Sequence, residues 1–458
     1  MSSAAPAVPA DALLRRSPAA AALVLGLPLA LGLASHALIN LVDLLLVGRL
    51  GGPSIAAAHV ASTWNFLPMI VGNCVATALL ARLSRALGNG DHGAAQRLHA
   101  AGERFMLALA LVVGVASALP AAPMVAATGL TGPVAADARH YLIVSNLGCV
   151  PMFALMQTTA AMRAAGEALV PLLLLLLANV LNLAFDLALM FGWEPLGIPA
   201  IGVVGAAYAT VIGRTVAAVL AFAWLARRRH PLSLRGIPPG ATPPVALPLL
   251  HDAWPQVLQI ALRALVVLAL TIVVQRRFGD SATVAIGITT RLDTLVLFAA
   301  LGFANAATAY AGRAVVVGDA ARARAVGLWA GLQAGLLGAL VVLLLRWFAE
   351  PIAGCFLPVT PAAVRDVVVV YLGIAAWGQV FGAVALGAIG AVQGAGPMIA
   401  PLLVDAVGFA VFTAVFAPVA GHGGLGAVCA ALAIGMAAVA ALHLAFVAWG
   451  RWPYPRDP

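Results

Sequence analysis

From Pro28 to Val47 the chain carries a single formal charge, Asp43, and from Pro171 to Phe191 again only one, Asp186. An α-helix crosses the hydrocarbon core of a bilayer, about 30 Å, in about 20 residues. Runs of this kind recur along the whole sequence. Hydropathy and Gly/Pro punctuation predict about twelve spanning helices, near residues 20–47, 54–84, 98–119, 138–162, 168–192, 200–226, 252–276, 283–311, 323–348, 365–392, 398–419 and 425–450. There is no ten-residue alternation of the kind a membrane β-barrel needs. Composition excludes a soluble fold. The chain is 63% hydrophobic and 9% charged, against the roughly 25–35% charged surface a soluble domain carries.

The net charge of +9 resembles a nucleic-acid signal only until it is located. Every basic residue is Arg, and the arginines gather at one set of span ends: Arg15, Arg16, Arg82, Arg85, Arg97, the Arg227–Arg229 run, Arg235, Arg313, Arg322 and Arg324. Fewer sit at the other ends (Arg49, Arg139, Arg276, Arg277, Arg346, Arg365), and Arg214, Arg263 and Arg291 fall within spans. The positive-inside rule then places both termini in the cytoplasm, with the lipid bilayer as partner and no nucleic acid. Arg15 and Arg16 precede an apolar run too long for a cleaved signal peptide, so it reads as the first span. Cys74, Cys149, Cys355 and Cys429 lack ligand-like spacing and read as small core residues, with no metal site expected.

The sequence is duplicated. Arg49–Val60 (RLGGPSIAAAHV) aligns with Arg277–Ile288 (RFGDSATVAIGI), and the same register aligns Ser84-Arg85 with Gly312-Arg313 and Gly90-Asp91 with Gly318-Asp319. Further on, Tyr141-Leu142 aligns with Tyr371-Leu372, and Arg163–Leu173 with Gln393–Leu403, sharing Gly166/Gly396 and Pro171/Pro401. Six spans per copy preserve orientation, so the pseudo-two-fold axis lies along the membrane normal. The expected organisation is a tail (1–17), an amino-terminal six-helix lobe (18–226), a polar Pro-rich linker (227–250), a carboxyl-terminal six-helix lobe (251–450) and a second tail (451–458). The fold class is therefore all-α integral membrane, about twelve helices in two pseudo-symmetric bundles.

The copies differ where chemistry is expected. Asp43 aligns with Thr271, Asp186 with Phe416 and Asn182 with Phe412. His36, Asn40 and Asp43 share one face of the first helix, and Asn179, Asn182 and Asp186 share one face of the fifth. A carboxylate at mid-membrane costs about 2.5–3.5 kcal/mol to insert, and such residues mark ion paths or cavities. Each aspartate alone reads equally well as a neutral, locally satisfied group. Two polar stripes confined to one lobe favour a shared site, in which oxygens hold a sodium ion or two carboxylates share a proton. Pro28, in the first span, permits a kink.

These residues resemble a known family. Pro28 with Asp43, Asn182–Asp186 (NLAFD) and Gly202–Thr210 (GVVGAAYAT) are similar to the multidrug and toxic compound extrusion (MATE) transporters, as are the turns SRALGNGD from Ser84 and GRAVVVGD from Gly312. The resemblance covers essentially the whole chain. It implies secondary active export of organic cations or amphipathic compounds by alternating access, in antiport with protons or sodium ions, with no cofactor beyond that ion. The Arg-only, Ala- and Gly-rich usage points to a bacterial host, hence an inner-membrane protein, and both lobes in one chain make a monomer sufficient. By the resemblance, Asp43, Asn182, Asp186 and Thr210 form the cation or proton site, with His36 and Tyr141 beside the cavity. Eight residues after Pro255, where some branches carry a glutamate, stands Arg263. This resembles the DinF branch, whose coupling site is in the amino lobe. Arg263 is expected to pair with Asp293 or Asp405, because a lone buried guanidinium is costly.

No GxSxG, HExxH or Walker motif is present, so an enzyme or ATP-driven pump is not expected. The alternatives are a major-facilitator-type transporter, for which Gly88–Arg97 (GNGDHGAAQR) superficially fits, and a lipid or oligosaccharide flippase of related fold. Trp64, Phe66, Met69, Phe105, Met152, Phe153, Met156 and Met162 are candidates for soft cavity walls.

Overall fold

A computed structural model describes residues 13–227, 230–234, 243–351, 362–396 and 398–452. Most of both expected tails, part of the linker and Cys355 lie outside the described residues. Among the described residues fourteen α-helices follow in order: α1 (Pro18–Arg49), α2 (Gly52–Gly88), α3 (His92–Ala118), α4 (Ala121–Ala126), α5 (Gly132–Leu147), α6 (Cys149–Ala164) and α7 (Leu169–Phe191). Then come α8 (Val204–Leu225), α9 (Ala246–Val316), α10 (Ala320–Trp347), α11 (Ala362–Ile374), α12 (Ala376–Ala395), α13 (Ile399–His422) and α14 (Leu425–Trp449). Among the described residues, eleven spans are long and apolar enough to cross a bilayer. The helix α13 completes the twelve.

Two of these helices are sequence features made visible. The long helix α9 is two spans joined through Gly279, whose φ of 77° and ψ of −168° suit a residue without a Cβ. The span expected at 138–162 is two helices, α5 and α6, meeting at Gly148. Large apolar side chains such as Leu111, Leu119, Leu336 and Trp347 point outward and exposed, which water would punish and lipid does not.

The duplication shows in matching caps. Gly90 and Gly318 both take positive φ, 75° and 79°. Each is followed by an aspartate that caps the next helix: Asp91 Oδ1 accepts from the Ala94 amide at 2.8 Å, and Asp319 Oδ1 from the Arg322 amide at 2.9 Å. A side-chain acceptor at this position satisfies one orphan donor of the first turn.

The packing does not divide at the linker. Ala21, Ala22, Leu25, Leu29 and Ala30 of α1 are buried in the cluster built around the second half of α9 and α10. Reciprocally, Val245, Leu249 and Ala253, at the start of α9, are buried in the cluster of α2, α3 and α6. Each bundle's first helix thus begins in the core of the other. Arg82 Nε donates to Asp252 Oδ2 at 2.8 Å, fixing the start of α9 on α2.

Two arginines repeat this exchange. Arg85 Nη1 on α2 donates to the Gly394 carbonyl of α12 at 2.8 Å, and Arg313 Nη2 on α9 donates to the Ala164 carbonyl of α6 at 2.5 Å. Arg85 and Arg313 are aligned in the two sequence copies, and so are Ala164 and Gly394. The bundles are therefore bonded together at their arginine-rich end. About three turns back along α9 the backbones of the two bundles nearly touch: a Cβ on Gly302 would lie 2.1 Å from the Ala30 nitrogen, two residues after Pro28. Gly302→Val is expected to destabilise this conformation by about 1–3 kcal/mol through overpacking. Thermal unfolding of the detergent-solubilised protein checks it; an unchanged Tm would mean that the helices separate freely here.

Candidate cation and proton site

The polar stripes of α1 and α7 meet. His36 Nδ1 donates to Asn179 Oδ1 at 3.3 Å, and Asn179 Nδ2 donates to Ser35 Oγ at 3.0 Å. Two turns along, Asp43 and Asp186 lie close enough for their carboxyl groups to interact directly. Asn182 Nδ2 donates to Thr210 Oγ1 of α8 at 3.2 Å. The helical register explains the meeting: residues three and four apart stack on one face, so one close contact between α1 and α7 brings both stripes into register.

Asp186 is fully buried. Among the described residues, both of its carboxylate oxygens and Asp43 Oδ1 lack a hydrogen-bond partner. Two carboxylates side by side in a dry interior cannot both stay ionised without a compensating charge. The donor set fits either occupant: a proton shared by the pair, or a cation held by carboxylate, amide and hydroxyl oxygens. No group of three or more His, Cys, Asp or Glu forms among the described residues.

Tyr141 on α5 stands within electrostatic reach of both aspartates and of Arg214 on α8. Arg214 also faces Asp43, and its Nη1 donates to Met152 Sδ at 3.3 Å. Sequence reasoning missed it. Its apolar surroundings mark it only as a cation in a span, and nothing in its spacing says that α8 turns it toward the acids.

A cavity of about 570 Å³ lies between the bundles. His36, Asn40, Asn179, Asn182, Thr210 and Arg214 line it from the amino-terminal side, while Asp43, Asp186 and Tyr141 sit outside its wall. Of the soft residues singled out from sequence, Phe66, Met69, Met152 and Met156 line it; Trp64, Phe105, Phe153 and Met162 do not. Phe153 and Met162 are buried in the amino-terminal core instead.

On the carboxyl-terminal side Arg263, Asp293 and Asp405 all face the cavity. Arg263 Nη2 lies 3.7 Å from Asp405 Oδ2. Asp293 is occupied elsewhere: Tyr371 Oη and Gln379 Nε2 donate to its Oδ2 at 2.6 and 3.1 Å. Of the two partners expected for Arg263, the structure places Asp405 beside it. The turn of α13 decides between them, and that turn is not encoded in residue spacing.

The MatE family model matches residues 28–188 and 255–419, once in each bundle. A probable multidrug resistance protein NorM from Brucella suis is 27% identical over 451 residues, covering 93% of each chain. One from Agrobacterium fabrum is 27% identical over 350 residues, covering 72% of each. Among solved structures, the outward-facing conformation of a multidrug resistance MATE family transporter of the MOP superfamily superposes with a TM-score of 0.86, at 22% identity and 98% coverage of each chain.

Proposed function

Since the chain belongs to the MatE family, we propose that it is a secondary active exporter of amphipathic or cationic compounds, driven by protons or sodium ions bound at Asp43 and Asp186. The observation that carries this reading is the abutting carboxyl pair, Asp186 buried and Asp43 half-buried, with orphaned oxygens beside a large cavity. The family match leaves no place for a major-facilitator fold, and the two NorM relatives, named as probable multidrug resistance proteins, favour export over lipid flipping.

In this proposal the bundles rock about the central cavity. The conformation described is sealed at the arginine-rich end by the Arg85 and Arg313 bonds, and its likeness to the outward-facing relative supports placing that end in the cytoplasm. Both termini then lie on the cytoplasmic side of the bacterial inner membrane, and a monomer holds every part needed. Ion entry at Asp43 and Asp186 weakens substrate binding, and by linkage substrate weakens ion binding equally. Arg214 supplies a resident positive charge that stabilises the pair while it is ionised. Arg263 in the carboxyl bundle supports the DinF-like assignment, in which the coupling site belongs to the amino bundle.

Proteoliposomes with a proton gradient or a sodium gradient imposed separately test the reading. Export of a cationic dye is expected under one gradient and not the other, naming the ion. Export under neither gradient, for dyes of either charge, would turn the reading toward a flippase.

A further inference from the structure

We infer that the carboxyl-terminal bundle holds a second proton-binding site, the Asp405–His443 pair, whose carboxylate is shared with the cavity-lining Arg263. The inference rests on the exporter reading for its place in a transport cycle, but not for the chemistry of the pair.

The argument begins with what a carbonyl can do. His443 on α14 is completely buried. Its Nδ1 lies 3.0 Å from the Val439 carbonyl, which only accepts, so Nδ1 carries a hydrogen. Its Nε2 lies 3.4 Å from Asp405 Oδ1 on α13. A neutral imidazole with its hydrogen on Nδ1 turns a lone pair toward that oxygen. An ionised carboxylate is also acceptor-only, and the two would repel. Among the described residues Nε2 has no hydrogen-bond partner, and a proton placed between it and Oδ1, whether counted as imidazolium with carboxylate or imidazole with carboxylic acid, removes this repulsion. The pair is thus a place for one proton.

The other carboxylate oxygen connects the pair to the cavity. Asp405 Oδ2 accepts from Gln259 Nε2 at 2.8 Å and stands 3.7 Å from Arg263 Nη2. Gln259, Arg263 and Asp405 all line the cavity; His443 lies behind them. The other charged groups near α14 are committed elsewhere. Arg324 on α10 donates to the Val447, Ala448 and Gly450 carbonyls. Tyr371 on α11 is bonded to Asp293, and Arg365 and Asp366 begin α11 at the far end of the span. α12 contributes no charged side chain. Asp405 and Arg263 are thus the groups that His443 answers to.

With the proton present, the carboxylate is divided between two cations or neutralised, and Arg263 presents its charge to the cavity. With the proton gone, Asp405 belongs to Arg263 and the wall is neutral. A cationic substrate then favours the deprotonated pair and expels the proton, by the reciprocity of linkage. The cavity would be coupled to protons from both sides, with Asp43 and Asp186 behind one wall and Asp405 with His443 in the other.

The direct test needs no substrate. In detergent-solubilised protein with ¹⁵N-labelled histidine, the His443 ring is identified by the signal lost in His443→Gln, or in His443→Arg if the Gln variant does not fold. Its Nε2 is expected to report one protonation step, and Asp405→Asn is expected to move the midpoint by at least about tenfold in proton concentration. A ring that does not titrate, or whose titration ignores Asp405→Asn, overturns the site. The link to transport is read separately, as proton release on ethidium binding by Asp43→Asn/Asp186→Asn protein. Release that persists there and disappears on adding His443→Gln supports the coupling; release that survives His443→Gln overturns it. Loss of dye export in the Asp43→Asn variant with the His443 titration intact would leave both readings standing. Dye export untouched by that variant would remove the exporter mechanism while leaving this site.

Discussion

Asp43→Asn reduces gradient-driven export to the leak of empty liposomes, while the variant inserts, purifies and melts like the parent protein. The amide keeps the volume of the side chain and its capacity to hydrogen-bond. It removes the only property the mechanism uses, the ability to gain and lose charge. Asp186 is fully buried against the same carboxyl group, so Asp186→Asn is expected to give the same loss. Relieving a crowded pair of acids costs the fold little, because replacing a buried charge with a neutral polar group removes a desolvation penalty. Transport by reconstituted protein under the driving gradient, beside a melting curve, reads both halves of this expectation. Undiminished export by Asp43→Asn would show that the pair is structural and that coupling lies elsewhere.

The second large effect belongs to the seal. Arg85→Ala with Arg313→Ala removes two bonds in which a charged donor meets a backbone carbonyl across the bundles. Hydrogen bonds to charged groups contribute about 1.5–3 kcal/mol each, so losing both shifts the balance between the two access states by more than about a hundredfold. Gln393, on the cavity floor, is hydrogen-bonded to Gln256 at 2.9 Å and lies one residue from Gly394, which accepts the Arg85 bond. A cysteine placed there in an otherwise cysteine-free protein reports the change. Its labelling by an impermeant thiol reagent from the arginine-rich face should rise at least about tenfold in the double variant. Equal labelling rates would mean that apolar packing alone holds this end shut. Either single variant should give an intermediate rate, since the two bonds are separate.

Much of this was legible in the sequence, and the legible part follows from periodicity. Span lengths come from the bilayer, and the spanning helices fall where the apolar runs and their Gly/Pro breaks put them, although the short α4 and the breaks between α5 and α6 and between α11 and α12 were not foreseen. The stripes of His36, Asn40 and Asp43 and of Asn179, Asn182 and Asp186 share faces because 3.6 residues make a turn, and those faces meet. What periodicity cannot supply is rotation. A helix that is apolar all round carries no mark of which side faces its neighbours, so neither the inward turn of Arg214 nor the choice of Asp405 over Asp293 by Arg263 could be read. His443 was invisible for the same reason: its partner lies on another helix, with no local motif between them. The exchange of first helices between cores is a second kind of blindness. Sequence shows where one copy ends and the next begins, but not that Leu25 and Leu249 are each buried in the opposite bundle.

That exchange has an implication for the history of the chain. When two identical subunits meet across a two-fold axis, each contact must occur twice with donor and acceptor swapped. Arg85 to Gly394 and Arg313 to Ala164 have this form, drawn from positions that are equivalent in the two copies. Such an interface needs no second sequence to work. A half-length ancestor of six spans, paired with itself, would already have possessed the closed end, and fusion of two genes would have inherited it unaltered. What fusion added was freedom for the halves to differ: one carries acids at Asp43 and Asp186, the other Thr271 and Phe416 in their places. The gate in this protein is common property of both halves, and its acids belong to one.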